Sequence, residues 1–150
     1  GGNQFSQYGF IGTPQYSAPE QIAREKNSTV QINASTDIYE LGITFYELLT
    51  GNNPFDTPTE SETLTKQMRE PLPANEKIPY KLMKVIWTAT EKSQSKRYQT
   101  AQEFKRAIEE AMLPPATIWE KVQLWLEKHS ALLVGALVAI IILIGLLFIL

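Results

Sequence analysis

Few side chains of this protein could take part in catalysis, and the residue types that are missing exclude several kinds of catalytic site. The sequence has no cysteine, which excludes disulfides, thiolate metal ligands and cysteine nucleophiles. It contains no Ser/His/Asp set, no phosphate-binding P-loop and no cluster of metal ligands. Its single histidine, His129, directly precedes a long apolar run, where it flanks that run rather than catalyses. The candidates that remain are a hydroxyl, two carboxylates and a guanidinium: Thr13, Glu20, Asp37 and Arg97.

These four groups lie in three of four short motifs that follow one another along the chain. Residues 12–21 read GTPQYSAPEQ, and the Ala-Pro-Glu triplet within them belongs to the signature set of protein kinases. Residues 37–42 read DIYELG, and residues 46–55 read YELLTGNNPF. Arg97 lies in the stretch KRYQT. In this order and spacing, the motifs resemble the C-terminal lobe of a bacterial-type (Hanks-type) serine/threonine protein kinase.

The resemblance covers residues 1–113 and implies a role for each motif residue. Thr13, Pro14 and Tyr16 correspond to the substrate-facing loop, and the Thr13 hydroxyl would help to orient the acceptor hydroxyl of a substrate. Without the motif, Thr13 would be a loop residue that caps the following turn. The resemblance also implies that Glu20 and Arg97 form a buried ion pair, which ties this loop to the last helices.

Other positions are assigned by the same resemblance. Ala18 and Pro19 complete the structural Ala-Pro-Glu motif, and Gly42 ends the motif of the central helix. Asp37 would accept hydrogen bonds from the backbone of a catalytic loop; its alternative role is that of an acid in the first turn of a helix. Ser6 is a candidate phosphorylation site, because activation segments are often phosphorylated there. One departure is Ser93-Gln94, where the family often has Asp-Pro.

The motifs that bind ATP and catalyse transfer are missing from the sequence. It contains no G-x-G-x-x-G, V-A-I-K, H-R-D or D-F-G. We therefore assign no catalytic, cofactor-binding or metal-binding residue to the chain, whereas ATP and Mg²⁺ are implied for a full-length parent. Because the first residue is Gly1 and not Met, we expect a partial sequence. We expect the parent to be a membrane-anchored kinase of protein Ser/Thr residues, and this chain alone to be inactive.

Two other functions stay open. The chain could be a non-catalytic, membrane-anchored helical interaction module derived from a kinase lobe, which a natural start codon just before Gly1 would favour. It could also be a tail-anchored helical protein unrelated to kinases, which requires the motif of residues 12–21 to be accidental. Protein substrates with Ser or Thr are the expected partners of the first function. The sequence leaves open a homodimer.

The hydrophobic pattern predicts a mainly α protein with one transmembrane helix, and the resemblance implies that the other helices form the helical C-terminal lobe of a protein kinase-like fold. The clearest helix covers residues 35–50, is capped by Ser35 or Thr36, and ends at Gly51 in the left-handed conformation. It is apolar all round, which predicts complete burial. Shorter helices are expected near residues 18–24, after the cap Thr59, over 78–89 and after the cap Thr100. No segment alternates convincingly enough to predict a strand.

The end of the chain predicts a membrane anchor. Residues 131–150 are uncharged and apolar, and a helix of that length spans roughly 30 Å, about one hydrocarbon core. The alternative is a buried core helix. Residues 114–130 form an amphipathic juxtamembrane segment, and the positive charges before the span predict a single-pass protein with residues 1–130 in the cytoplasm. The expected partner is thus the lipid bilayer, whereas a net charge of −2 argues against nucleic acid.

Overall fold

A computed structural model describes residues 12–114 and 117–147, with side chains as far as residue 135. Within these ranges the chain is helical and contains no strand, which confirms the mainly α prediction for this part. The helices are α1 (Pro19–Lys26), α2 (Ala34–Thr50), α3 (Glu60–Arg69), α4 (Tyr80–Ala89), α5 (Ala101–Met112) and α6 (Ile118–Leu147). A short 3₁₀ helix, Gln94–Lys96, precedes α5.

The chain divides into two compact units, residues 1–112 and residues 113–150. In the second unit α6 runs without a break over Ile118–Leu147, so the predicted juxtamembrane segment and the start of the predicted span belong to one helix. In the part of the chain that the structure describes, none of the helices combines the length and the apolar character needed to span a bilayer. Most of the predicted span, residues 136–150, lies outside the residues whose side chains are described.

The N-cap of helix α2 lies two or three residues earlier than the sequence predicted, although the helix itself begins only one residue earlier. Asn33, and not Ser35 or Thr36, is the N-cap: its side chain accepts a hydrogen bond from the Ser35 backbone N–H at 2.9 Å. The predicted caps fail because both hydroxyl groups lie inside the first turn, where they are buried and hydrogen-bonded. At the other end Gly51 adopts the left-handed conformation, with φ of 78°, as predicted.

The core of the first unit forms around one side of α2. We call Ile38, Tyr39, Gly42, Ile43 and Tyr46 its inner face, and all five residues are buried. Helices α4 and α5, the loop after α2 and the loop after α3 complete the core through Phe55, Leu72, Ile78, Leu82, Met83, Val85, Ile86, Ala89 and Phe104.

The opposite side of α2 is open, which corrects the prediction of complete burial. We call Leu41, Thr44 and Leu48 the outer face; Leu41 is 51% exposed and Leu48 is 77% exposed. Together with Phe45 and the facing side of α5, these residues line an apolar groove of about 520 Å³. The prediction failed because the hydrophobic pattern of a helix shows which of its residues are apolar and does not show whether another element packs against them.

Gly42 allows α2 and α4 to pack closely. A Cβ atom built on Gly42 would lie 2.7 Å from Thr90 Cγ2 and 3.1 Å from Ala89 Cβ. Thr90 is buried, and its hydroxyl donates to the Ile86 carbonyl at 2.9 Å, so its side chain is not free to turn away. The glycine is therefore required by helix packing and not by its backbone conformation.

Candidate functional site

The candidate substrate-facing loop, residues 12–17, is a tight turn that precedes α1. The Tyr16 N–H donates to the Thr13 carbonyl at 3.1 Å, and the Ser17 N–H donates to the Pro14 carbonyl at 3.3 Å. The Ser17 hydroxyl adds a bond of 3.1 Å to the same Thr13 carbonyl. Thr13 is exposed, whereas Pro14 and Tyr16 are half-buried. The turn thus presents Thr13 to solvent and turns the next residues toward the helices.

Helix α1 follows immediately, and its first residues fix the end of the loop. Pro19 occupies the first helical position, where the missing N–H costs little. The side chain of Gln21 reaches back to accept the Ala18 N–H at 2.6 Å. Because Ala18, Pro19 and Glu20 are all buried, the Ala-Pro-Glu motif lies inside the domain and the loop before it is held at the surface.

Glu20 and Arg97 form a buried, bidentate ion pair, as the family motif predicted. Arg97 Nη1 donates to Glu20 Oε1 at 2.6 Å, and Nη2 donates to Oε2 at 2.8 Å. Only 4% of Arg97 and 6% of Glu20 is exposed. This parallel geometry suits the planar guanidinium, and lysine could not reproduce it.

The other donors of Arg97 are bound to backbone carbonyls. Nε donates to the Glu91 carbonyl at 2.6 Å, Nη1 to the Ser35 carbonyl at 3.0 Å, and Nη2 to the Lys92 carbonyl at 3.2 Å. A guanidinium has five N–H donors, so all of them are used. Arg97 therefore joins three segments, namely the start of α1, the start of α2 and the turn after α4, in addition to neutralising the carboxylate.

The environment of Glu20 keeps it ionised. Burial is the largest single influence and favours the neutral acid, but hydrogen bonds from Arg97, from Thr36 and from the backbone, with the charge of Arg97, outweigh it. The pKa of Glu20 is consequently lowered. Thr36 contributes a bond of 2.7 Å from its hydroxyl to Oε1. The same hydroxyl accepts from the Gln94 side chain at 3.3 Å, at one of the positions where the motif departs from the family.

The remaining predicted residues are not part of this cluster. Asp37 lies exposed in the first turn of α2, which suits its alternative role as an acid at a helix N-terminus. Gly42 lies at the α2–α4 contact. Tyr16 approaches the end of α2, where a hydrogen bond to the Glu47 carboxylate is the largest cause that raises its pKa. Ser6, the candidate phosphorylation site, lies outside the described residues.

Sequence reasoning missed a second polar cluster beneath the loop. Gln67 on α3 is fully buried, and its side chain donates to the Gln15 carbonyl at 2.6 Å. Tyr39 and Lys92 continue this cluster into the core. The sequence predicted a helix after the cap Thr59 and gave no indication that one of its polar side chains would be buried. A buried glutamine has no sequence signature, so no pattern could have found it.

The part of the chain that the structure describes contains no cluster of metal-ligating side chains. Within residues 12–114 and 117–135, no group of three or more His, Cys, Asp or Glu side chains could hold a metal ion. What the arrangement can do is hold a loop with an exposed hydroxyl against a rigid set of helices.

Comparison with known proteins agrees with this geometry. The sequence profile described as "Protein kinase domain" matches residues 2–111. The chain belongs to the protein kinase family. It is 38% identical over 97 residues to a probable serine/threonine-protein kinase PknB of Lactococcus lactis, a match that covers 62% of this chain and 15% of that protein.

A second similar kinase comes from a different bacterium. The serine/threonine-protein kinase PknB of Mycobacterium leprae is 35% identical over 99 residues, which cover 63% of this chain and 15% of the relative. The matched part of the chain thus spans about a seventh of the length of these curated kinases. The family comparison supports a kinase-derived chain of bacterial type and leaves the activity of the whole protein as a proposal.

Proposed function

We propose that residues 12–112 form the substrate-docking part of a serine/threonine protein kinase. The observation that carries this proposal is the buried Glu20–Arg97 pair, which joins the loop before α1 to α2 and to the turn after α4. An ion pair this deeply buried is costly unless its geometry is well satisfied, and here every guanidinium donor has a partner. Its structural effect is to hold the Thr13–Tyr16 turn in one position.

In this proposal, Thr13 is the residue nearest to the reaction. Its hydroxyl is exposed at the tip of the turn, whereas its carbonyl is held by Tyr16 and Ser17. The hydroxyl would contact the acceptor residue of a protein substrate or the catalytic groups that activate it. ATP and Mg²⁺ would be bound by parts of the parent kinase other than the described residues, and the chain by itself would not transfer phosphate.

A chimera tests this function directly. The ATP-binding part of the Lactococcus lactis kinase would be joined to residues 12–112, and phosphorylation of Ser- and Thr-containing peptides would be measured. We expect ATP-dependent activity from the chimera, strong loss of it in Thr13→Ala, and no activity from the 150-residue chain alone. A folded chimera without activity, or phosphoryl transfer by the chain alone, would contradict the proposal. Thr44→Ala, on the outer face of α2, is the matched control.

The alternative function, a non-catalytic interaction module, is favoured by one observation. The groove between the outer face of α2 and α5 is apolar and open, and exposed apolar surface of this kind commonly binds a partner. If the chain acts as a module, Leu48→Lys should abolish partner binding while Thr13→Ala leaves it unchanged. If the chain is part of a kinase, Thr13→Ala should reduce activity in the chimera.

Membrane attachment is a further part of the proposal and rests on the sequence of residues 131–150 alone. Its length and lack of charge suit a single-pass anchor, with residues 1–130 on the cytoplasmic side. Flotation with lipid vesicles tests it. We expect the 150-residue chain to float with the vesicles and a chain that stops at residue 130 to stay in the dense fraction; equal behaviour of the two would refute the anchor.

A further inference from the structure

The carbonyl of Gln15 is held from below by two side-chain amides. Gln67 Nε2 on α3 donates to it at 2.6 Å, and Asn53 Nδ2 in the loop after α2 donates at 3.2 Å. Two separate elements thus converge on a single backbone atom in the candidate substrate-facing loop. Gln15 lies between Pro14 and Tyr16, so the position of this carbonyl sets the path of the turn that presents Thr13.

The orientation of the Gln67 amide is fixed by its other end. Gln67 is fully buried, and Tyr39 Oη donates to Gln67 Oε1 at 2.5 Å. A side-chain amide has one acceptor end and one donor end, so engaging Oε1 with Tyr39 points the donor end at Gln15. A buried amide is tolerated only when it is hydrogen-bonded, and here both ends are.

The direction of the Tyr39 hydroxyl is fixed in turn by Lys92. Lys92 Nζ donates to Tyr39 Oη at 2.7 Å and lies 4.6 Å from the centre of the Phe55 ring. An ammonium group can only donate, so Tyr39 must accept from it and give its own proton to another atom. That atom is Gln67 Oε1. Each donor in the series therefore determines the direction of the next.

We infer that Lys92, Tyr39 and Gln67 form a hydrogen-bonded relay that positions the substrate-facing loop, with Gln67 as the positioning residue. The part that concerns substrate rests on the proposed function; the positioning of the loop does not. The relay reaches from the turn after α4, beside the backbone bound by Arg97, to the Gln15 carbonyl. The loop is accordingly fixed in two ways: α1, which follows it, is anchored by the Glu20 charge pair, and the loop itself is held at Gln15 by neutral amides.

Amide hydrogen exchange on the 150-residue chain tests the relay without ATP or substrate. Gln67→Leu keeps the volume and removes the amide, and Gln102→Leu makes the same change at an exposed position of α5. We expect Gln67→Leu to speed exchange of the Tyr16 and Ser17 amides by about three- to tenfold, the effect of one lost hydrogen bond. The amides of α2 and α4 should change by less than about twofold, and Gln102→Leu should change none of them.

The relay also predicts a dependence that a merely structural residue would not show. Tyr39→Phe and Lys92→Met should each speed exchange at Tyr16 and Ser17, and Tyr39→Phe should add nothing when Gln67 is already Leu. Additive effects, uniform acceleration throughout the core, or unchanged exchange at Tyr16 and Ser17 would overturn the inference. If Gln67→Leu fails to fold, exchange at Tyr16 and Ser17 in Lys92→Met tests the relay instead. The Lys92 side chain is only half-buried, so we expect this variant to fold.

The substrate side of the inference has a separate readout. In the active chimera, Gln67→Leu should raise the KM for peptide several-fold with little change in kcat, because it loosens docking and not phosphoryl transfer. Changed exchange together with an inactive chimera would count against the proposed function and not against the relay. Changed exchange together with an unchanged KM would show that the relay does not serve substrate docking.

Discussion

The two faces of α2 are both rich in apolar residues and have opposite environments. On the inner face Tyr39 and Ile43 are completely buried, and Arg97 lies over the Tyr39 ring at 4.7 Å. On the outer face Leu41 and Leu48 border an open groove. We infer from this difference that the packing of α2 stabilises the domain through one side of the helix. The other side is available for contact.

The largest expected effect concerns Arg97, which closes the N-terminal end of the inner face. Arg97→Met removes the cation and leaves the Glu20 carboxylate buried without it, which should lower the free energy of unfolding by about 3–5 kcal/mol. Lys105→Met is the control, because Lys105 is exposed and its ion pair with Glu109, which is exposed as well, is worth little. Urea denaturation followed by circular dichroism measures both, and equal midpoints would show that the inner face does not depend on the ion pair.

Truncation of one apolar residue on each face tests the comparison itself. Ile43→Ala creates a cavity in the core and should cost about 3 kcal/mol, whereas Leu48→Ala removes a side chain that is 77% exposed and should cost less than about 0.5 kcal/mol. Thermal or urea unfolding of the two variants gives the difference. If Leu48→Ala destabilises the protein as much as Ile43→Ala, the outer face is covered in solution.

A smaller effect is expected where α2 meets α4. Gly42→Ala improves helix propensity by about 1 kcal/mol, but its Cβ would overlap Thr90 Cγ2, so the net cost should be about 1–2 kcal/mol. The double variant Gly42→Ala with Thr90→Ser removes the clashing methyl group and should recover most of the loss. Failure of this rescue in an unfolding experiment would show that close packing is not the reason for the glycine.

The smallest expected effect is a pH dependence at Lys92. Burial, followed by the charge of Arg97, lowers the pKa of Lys92 from 10.5 to about 8. The folded protein therefore releases this proton before the unfolded chain does, and folding becomes more favourable as pH rises from 8 toward 10. Relative to Lys92→Met, the wild-type protein should gain about 1 kcal/mol of stability in this window, less than the full shift implies because Lys92 is only half-buried and solvent screens its charge. If the free energy of unfolding changes equally with pH in the two proteins, the lowered pKa of Lys92 is contradicted.

Much of the first unit could be predicted from the sequence because its signals are local. The apolar repeat and Gly51 placed α2 within one residue of its observed limits, and the capping residues Thr59 and Thr100 placed the starts of α3 and α5. The Glu20–Arg97 pair was predicted from the family motif, since no spacing rule joins residues 77 positions apart. The boundaries of the domains at residues 113 and 130 stay predictions.

Two features could not have been predicted, for physical reasons. The open outer face depends on which other elements pack against α2, and the sequence of the helix does not specify those elements. The burial of Gln67 depends on the Gln15 carbonyl, 52 positions away, and on the Tyr39 hydroxyl, 28 positions away, which together satisfy the two ends of its amide. In both cases the burial of a side chain depends on residues that are distant in the sequence, so the local hydrophobic pattern cannot predict it.

The central claim is that the Glu20 carboxylate is held ionised by Arg97 beneath the candidate substrate-facing loop. Its most direct test is the pKa of the Glu20 side chain, measured by NMR titration of the labelled carboxyl carbon in the wild-type protein. We predict a pKa below the ordinary value of 4.5, so that the contribution of the pair is complete above that pH and is lost as pH falls below it. A pKa at or above 4.5 would mean that burial outweighs Arg97 and would contradict the account.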